Sequence, residues 1–585
     1  MSEATRTDPG ARESIQLGAA AARIGRRARE GVVVQTEVHD RQQLELRFNY
    51  PVGEAGQWRY RVDTYFFVPR NIGLNRANYA REQFYLDFTA FVRVDALPLP
   101  LNELADPTNP ASPLRRFVAS LEGLRTRPRP PSTASARVHV KLYANLFSAS
   151  VRAECRRLEK RFARRTKSEL RGSMRPAASG RPSAAPVDQG FDRELDAALA
   201  RIRGALSAWR KARAAWWPYE RICHASLPEA MRSADEYMSL AVEERLAQLS
   251  RALGATAGAF DGTGAVQRVR LRLAELAREE AAYRARYGYL TLRRESLEAP
   301  ASRARGRAVS PPGEYFTYRS SLLKKSVQQA LYLDVRGSRT DTFLRNAVSG
   351  VGAALAAIWA LATQLPTQIA DLPSQTKVTF FAAAVLAYVM KDRIKALTSE
   401  FLLKRARSWD HTHWISGASL PDLGAPDFRA RSSEAVSFVS PDEVPPEVRA
   451  VRVERRTVAQ AESQPEEVIH YRKRLEVGTP DGPSPLPEGY RIRDILRVNV
   501  RHFLTRLDDP LDAADWFDPA TGRFERAPLP KVYHLNVVVR VRREGATGPA
   551  EERWAHLRVV LDKQGIVRAE EVRAPGNRER APSSA

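Results

Sequence analysis

Two apolar segments, 347–365 and 374–390, face each other across a short turn, and they constrain this chain more than any other stretch. The first carries no charge, and as a helix it extends about 28 Å, close to the hydrocarbon thickness of a bilayer. Pro366 stops it, Pro373 restarts the chain, and Ser374 is placed to cap a second helix of about 25 Å. Lys377 can lie along that helix with its ammonium at the interface. Ser349, Ala353 and Ala357 in one segment and Ala383 and Ala387 in the other recur four apart, a spacing that lets two helices approach closely. The expectation is a two-helix transmembrane hairpin. A buried hairpin inside a large soluble core is the competing reading, although such helices carry a polar stripe and this one has little besides Ser349. Arg336, Arg339 and Arg345 precede the hairpin, while Lys391, Arg393, Lys395, Lys404, Arg405 and Arg407 follow it. The positive-inside rule then puts both termini in the cytoplasm and the chain in the inner (plasma) membrane.

At 585 residues there is room for two to four domains. The opening MSEATRTDPG has no basic-then-apolar signal, so the hairpin is expected to direct insertion. Cys155 and Cys223 are the only cysteines, which excludes a disulfide framework and a four-cysteine zinc site. A net charge of +25 and a pI near 10.3 suit an anionic membrane surface or nucleic acid. Abundant arginine, alanine and proline, as a GC-rich genome produces, account for the same charge without a ligand.

Residues 1–30 read as a flexible start with a short helix near 19–29. From 31 to 112 alternation predicts a β-rich module, with strands at 32–38, 44–48, 58–68 and 84–94 rich in β-branched and aromatic residues. A basic helical region follows at 113–171. Between Pro113 and Pro182 there are eighteen Lys or Arg against four Glu and no Asp. Val151, Cys155, Leu158 and Phe162 form a narrow apolar stripe there, beside a cationic face of Arg152, Arg156, Arg157, Lys160, Arg161, Arg164 and Arg165. That face, with Lys391, Arg393 and Lys395 on a stalk after the hairpin, is the candidate surface for anionic lipid. A solvated bundle face is the plainer alternative.

After a linker at 172–188, residues 189–298 show helical stripes. Phe191, Leu195, Ala198, Ile202, Ala205, Trp209, Ala212 and Trp216 make a heptad seam, and Glu280 interrupts a later stripe. The pattern predicts a helical bundle or coiled coil and leaves open whether the seams close within one chain or between chains, as in a homo-oligomer. A second linker spans 299–313, the hairpin with its flanks spans 314–409, and 410–573 reads as a C-terminal α+β domain before a tail at 574–585. In that domain 532–541, 553–561 and 566–572 alternate as strands, with a tight turn at 562–565. Ile492, Leu496, Val500, Phe503 and Leu507 fit one helical face, and a helix is the favoured reading although Leu496, Val498 and Val500 also alternate. The expected fold class is therefore a multidomain α+β membrane protein.

Two constellations carry possible chemistry. His411 and His413, two apart beside Asp410, would share one side of a strand and offer a metal two imidazoles, with His470 or His502 as a third ligand. Asp508, Asp509, Asp512, Asp515 and Asp518 offer hard oxygens for Ca²⁺ or Mg²⁺, although turn formation explains aspartates there more simply. No P-loop, dinucleotide fingerprint, nucleophile elbow or HExxH motif occurs, and no cofactor is implied. The phrases NVRHFLTRLDDP at 499–510, VYHLNVVV at 532–539 and YFFVPRN at 65–71 resemble those of bacterial two-span membrane proteins with no assigned function. That resemblance implies a membrane anchor and brings no catalytic motif. The expectation is a non-enzymatic scaffold or sensor at the inner leaflet. The alternatives are a metal-dependent enzyme in the C-terminal domain and a nucleic-acid binder through the basic helix.

Overall fold

The computed structural model describes residues 32–52, 56–96, 98–110, 112–126, 133–173, 189–217, 225–257, 265–292, 312–338, 410–417, 420–423, 425–454, 465–479, 490–544 and 551–572, with 350, 351, 353–355, 357, 358, 390, 393, 482, 485 and 486. In chain order these form β1 (Val33–Val38), β2 (Gln43–Pro51), β3 (Trp58–Pro69), α1 (Arg81–Asp87), β4 (Phe88–Ala96), α2 (Leu101–Ala105) and α3 (Pro113–Thr126). Next come α4 (Thr133–Ser173), α5 (Gln189–Trp216), α6 (Ser226–Ala257), α7 (Ala265–Tyr287), α8 (Pro312–Gln328), β5 (Asp334–Ser338), β6 (His411–Ser416) and α9 (Leu420–Leu423). The remainder is β7 (Ala430–Val439), α10 (Pro446–Glu454), β8 (Glu466–Val477), β9 (Tyr490–Asn499), α11 (Arg501–Leu504), β10 (Leu511–Asp518), β11 (Arg523–Pro530), β12 (Tyr533–Glu544), β13 (Glu552–Asp562) and β14 (Gly565–Glu571).

Strands from the two ends of the chain share sheets. One sheet has the order β1-β2-β9-β4, the other β14-β13-β12-β3-β8-β7-β6-β5, and the pairings are antiparallel. The N-terminal β-rich region and the C-terminal α+β region are thus one sandwich, which corrects the expectation of a β-rich module separate from a C-terminal α+β domain. The reason lies in β3: Phe66 and Val68 point into the main core while Tyr65 and Phe67 join a second cluster on the other face. A strand apolar on both faces has to be central, and its neighbours come from beyond residue 460. The open edges of the two sheets meet, with Ile566 N donating to the Arg41 carbonyl at 2.6 Å and Leu333 N to the Val92 carbonyl at 3.1 Å. Edges covered in this way are closed to stray pairing.

Helices α3 to α8 bury a second core. Asn145 Nδ2 donates to the Val327 carbonyl at 2.8 Å and Lys141 to Gln329 at 3.0 Å, tying α4 to the segment that leads into β5. The α5 seam closes inside the chain: Phe191, Leu195, Ala198, Ile202, Ala205, Trp209 and Trp216 are buried, and the Tyr143 hydroxyl donates to the Ala205 carbonyl at 2.8 Å. On α4, Val151, Cys155, Leu158 and Phe162 are buried as their stripe requires, and burial pushes the Cys155 thiol up to about 12.

The membrane expectation is corrected. Among the described residues no helix is long and apolar enough to cross a membrane. The spans 347–365 and 374–390 lie mostly outside the described residues, and Val351, Leu355, Ile358 and Met390 within them are helical and exposed. The long helices that are described each set an apolar stripe beside a charged face, as α4 does, and bury the stripe against other helices. The fold is α+β with large antiparallel sheets, and neither the transmembrane hairpin nor the inner-membrane location has support in it. The stalk falls outside the described residues except for Arg393, as do the short helix near 19–29 and most of both linkers. Two local expectations also change. Residues 490–499 are strand β9, since Ile492, Asp494, Leu496 and Val498 all turn to one buried side, and 84–94 divides into α1 and β4.

Candidate functional site

His411 and His413 lie on β6 with their rings parallel within 7° and 6.0 Å apart, so the strand spacing does set them on one side. Tyr85 meets His411 edge-on, and a Cβ on Gly337 would stand 2.5 Å from His413 Nδ1, so that ring rests on bare backbone. The proposed third ligands are engaged elsewhere: His470 Nε2 is 3.2 Å from Asp63 and His502 Nδ1 is 3.0 Å from Asp87. Among the described residues no three His, Cys, Asp or Glu side chains converge to hold a metal. Asp508 pairs with Lys531 and Asp509 with Lys563, each at 2.7 Å, while Asp512 and Asp515 lie exposed on β10 and Asp518 accepts from Ala520 N and Thr521 at the turn.

The basic helix is partly spent on the bundle itself. Arg157 and Arg161 both grip Glu194 of α5, and Arg201 holds Glu154 at 3.2 Å. Burial and the neighbouring Arg245 lower the Arg152 guanidinium. Arg156, Lys160 and Arg164 remain on the exposed side; the side chain of Arg165, together with Lys391 and Lys395, is outside the described residues.

Sequence reasoning missed a buried ion cluster between the two sheets. Lys473 on β8 is buried between Glu434 of β7 at 3.1 Å and Asp494 of the facing sheet at 2.8 Å, with the Tyr50 and Tyr471 hydroxyls beside the two carboxylates. Burial alone would lower this ammonium, but Asp494 and Glu434 outweigh it and hold it above its ordinary range. A lysine kept protonated is neither nucleophile nor Schiff-base former. Its work is to tie one sheet to the other. The signal was Lys473 among alternating apolar residues, Ile469, Tyr471, Leu475 and Val477, in a stretch not recognised as a strand.

The bundle has its own buried network around Asp235. Its carboxylate accepts from the Trp209 indole at 3.1 Å, Tyr283 at 2.8 Å, Tyr289 at 2.9 Å and Arg213 at 2.5 Å. Glu280, which breaks the α7 stripe in the sequence, is buried and takes both Arg210 nitrogens at 3.0 and 2.7 Å. Arg284, only 2% exposed, donates to the Leu290 and Ser239 carbonyls and pairs with Glu243. Every charge here is answered by a partner on another helix or turn, which is the pattern of a structural network.

On the outer face of the large sheet Asp63 is shared by His470, by Arg61 at 3.1 Å and by Arg542 at 3.4 Å, and His470 stacks on Tyr65 at 4.1 Å. Burial holds His413, His470 and His534 below the ordinary imidazole range near 6.5. The unfolded chain therefore takes up protons on these rings before the folded chain does, and stability falls as pH drops through the ordinary imidazole pKa until the folded rings themselves protonate. Asp63 adds a loss at lower pH. Burial opposes its ionisation, yet His470, Arg61 and Arg542 hold it below the usual carboxylate range, so its contribution is present above the unfolded carboxylate pKa and lost as pH falls through the folded value. Urea midpoints should decline from about pH 8 to pH 5, across the unperturbed histidine value; midpoints that stay level would count against buried neutral histidines.

The last feature is a two-stranded arm. Strands β10 and β11 pair in register from Leu511↔Pro530 to Asp518↔Arg523 and with no other described strand. Leu511, Trp516, Phe517 and Leu529 are exposed, Phe524 is 85% exposed, and Phe517 and Phe524 meet edge-on at 5.3 Å. The arm leaves the body after α11 and returns into β12, where Lys531 N donates to the Pro510 carbonyl at 2.9 Å and closes its base.

The fold and this arm define an α+β protein, a closed sandwich beside a helical bundle, that holds an apolar ribbon out from its body. No family model, no curated protein and no solved structure matches the chain.

Proposed function

We propose that this chain is a non-enzymatic scaffold whose contact element is the β10–β11 arm. The observation that carries this reading is the exposure of Leu511, Phe517, Phe524 and Leu529 on strands that pair with each other and with no other described strand. A lone two-stranded ribbon is marginal in water, and clustered exposed apolar groups mark interaction surfaces. The protonated Lys473 and the fully engaged Asp235 support a body that holds its shape without performing chemistry.

A photoreactive amino acid in place of Phe524 should yield a discrete crosslinked product, while the same probe at the exposed Lys211 on α5 should yield none. Deleting 511–530 should leave the unfolding midpoint of the body unchanged. No crosslink from Phe524, or a body that melts once the arm is removed, would overturn the reading.

A further inference from the structure

Alternation on β4 and β9 turns Val92, Val94, Ile492 and Asp494 into the sandwich and leaves Arg93, Asp95, Arg491 and Arg493 on the outer face of the four-stranded sheet. Arg93 stands directly opposite Arg493, and Asp95 directly opposite Arg491. Like charges set opposite one another across strands destabilise a sheet. Further along the same face the charges balance, because Arg47 pairs with Glu37 and Glu45, and Arg497 with Glu45 at 3.0 Å. Around Arg93 they do not. Among the described residues Asp95 is the only carboxylate within ion-pair range of Arg93, Arg491 and Arg493, so three cations share one anion.

That carboxylate is already engaged by two of them. Asp95 Oδ2 accepts from Arg493 at 2.6 Å and from Arg491 at 3.2 Å, while Arg493 Nε donates to Asn49 at 2.8 Å. Arg93 comes no nearer to Asp95 than 4.0 Å, its side chain is 15% exposed, and its Nε is buried with no hydrogen-bond partner. A guanidinium only donates, and one withdrawn from water without acceptors keeps its desolvation cost. Burial pushes the neighbouring Arg493 guanidinium down to about 10 against the pull of Asp95, and Arg93, Arg491 and Arg47 add to the shift.

Three cations less one carboxylate leave an excess of two charges, held half out of water. A phosphomonoester brings roughly two negative charges and several acceptor oxygens at neutral pH, and the planar fork of arginine meets such a group with paired bonds. We propose that Arg93, Arg491 and Arg493 bind a phosphomonoester dianion on the outer face of the four-stranded sheet, with Arg93 as the side chain free to receive it. Asp95 and Asn49 already hold Arg491 and Arg493 in place, so the site is set before the ligand arrives. Strands β10 and β11 pair with no strand of this sheet, and the site stands whether or not the arm is a contact element.

Calorimetric titration of the full chain in chloride buffer with inorganic phosphate and with glycerol phosphate tests this. Each should bind with a Kd below about 1 mM, and dimethyl phosphate, a monoanion, about tenfold more weakly or worse. Arg93→Gln should weaken glycerol phosphate by about ten- to a hundredfold, the loss of one charge-assisted contact, and R93Q/R491Q should abolish its binding. The Arg93 side chain makes no hydrogen bond in the free protein, so R93Q should melt without phosphate at or above the wild-type temperature. Arg526→Gln removes the same charge from the arm and should leave the affinity unchanged. Wild-type binding only above about 10 mM, as for an adventitious ion, would overturn the proposal. Equal binding of dimethyl phosphate, or an R93Q protein that keeps wild-type affinity, would do the same. Vesicles containing phosphatidic acid then distinguish the source. If they bring down wild type in preference to R93Q, the group is a lipid headgroup, and if they treat the two alike it is a soluble phosphomonoester.

Discussion

Replacing Lys473 by methionine should cost the fold about 3–5 kcal/mol, because it leaves Glu434 and Asp494 facing each other between the sheets with no cation. A buried pair is worth little beyond an apolar pair of similar size, but a buried carboxylate stripped of its partner retains the full cost of desolvation. The triple variant E434Q/K473M/D494N should therefore recover most of the loss. Urea unfolding of the two variants measures both effects. A single variant as stable as the wild type would mean that the triad does not bear on the join between the sheets.

The second large effect is expected at Asp235. Asp235→Ala should cost about 3–5 kcal/mol, since Arg213 loses its buried counter-ion and the Trp209 indole, Tyr283 and Tyr289 lose their acceptor at once. Trp209→Phe removes one of these bonds and should cost about 1–3 kcal/mol. The two changes should not add in a double variant, because they strike one network. Additive losses in a denaturation series would show that the indole and the arginine act independently. The arm should be unaffected by either change, because it shares no packing with the α5–α7 core.

Sequence patterns located many elements. The alternation at 32–38, 58–68 and 532–541 falls on β1, β3 and β12, and the tight turn at 562–565 joins β13 to β14, with Asp562 accepting from Gln564 N and Gly565 N. The α5 seam was visible because burial on one face leaves a period that needs no partner to be read. Strand β9 was misread because its buried residues satisfy a helical and a strand period over so short a run, and only the ladder between β2 and β4 decides between them. The transmembrane hairpin was inferred from hydropathy and length, and no described helix has both. The charged clusters were hidden for another reason. Lys473, Asp494 and Glu434 are far apart in the chain, and each by itself looks like a surface residue.

Taken alone, the sequence determined the buried stripes of α4 and α5, because that preference is local and repeats with the period of the helix. It also determined the strong positive charge and the absence of a disulfide framework. Only the tertiary structure decided that β3 lies between β8 and β12, bringing Asp63 to His470 across 407 residues. It alone decided that the α5 seam closes within the chain and that the DWFD stretch at 515–518 stands out on an arm. Strand partnership depends on how whole surfaces fit once the backbone has closed, and many pairings satisfy the same alternation. The selection comes from filling both faces of β3 and from giving every buried charge its counterpart.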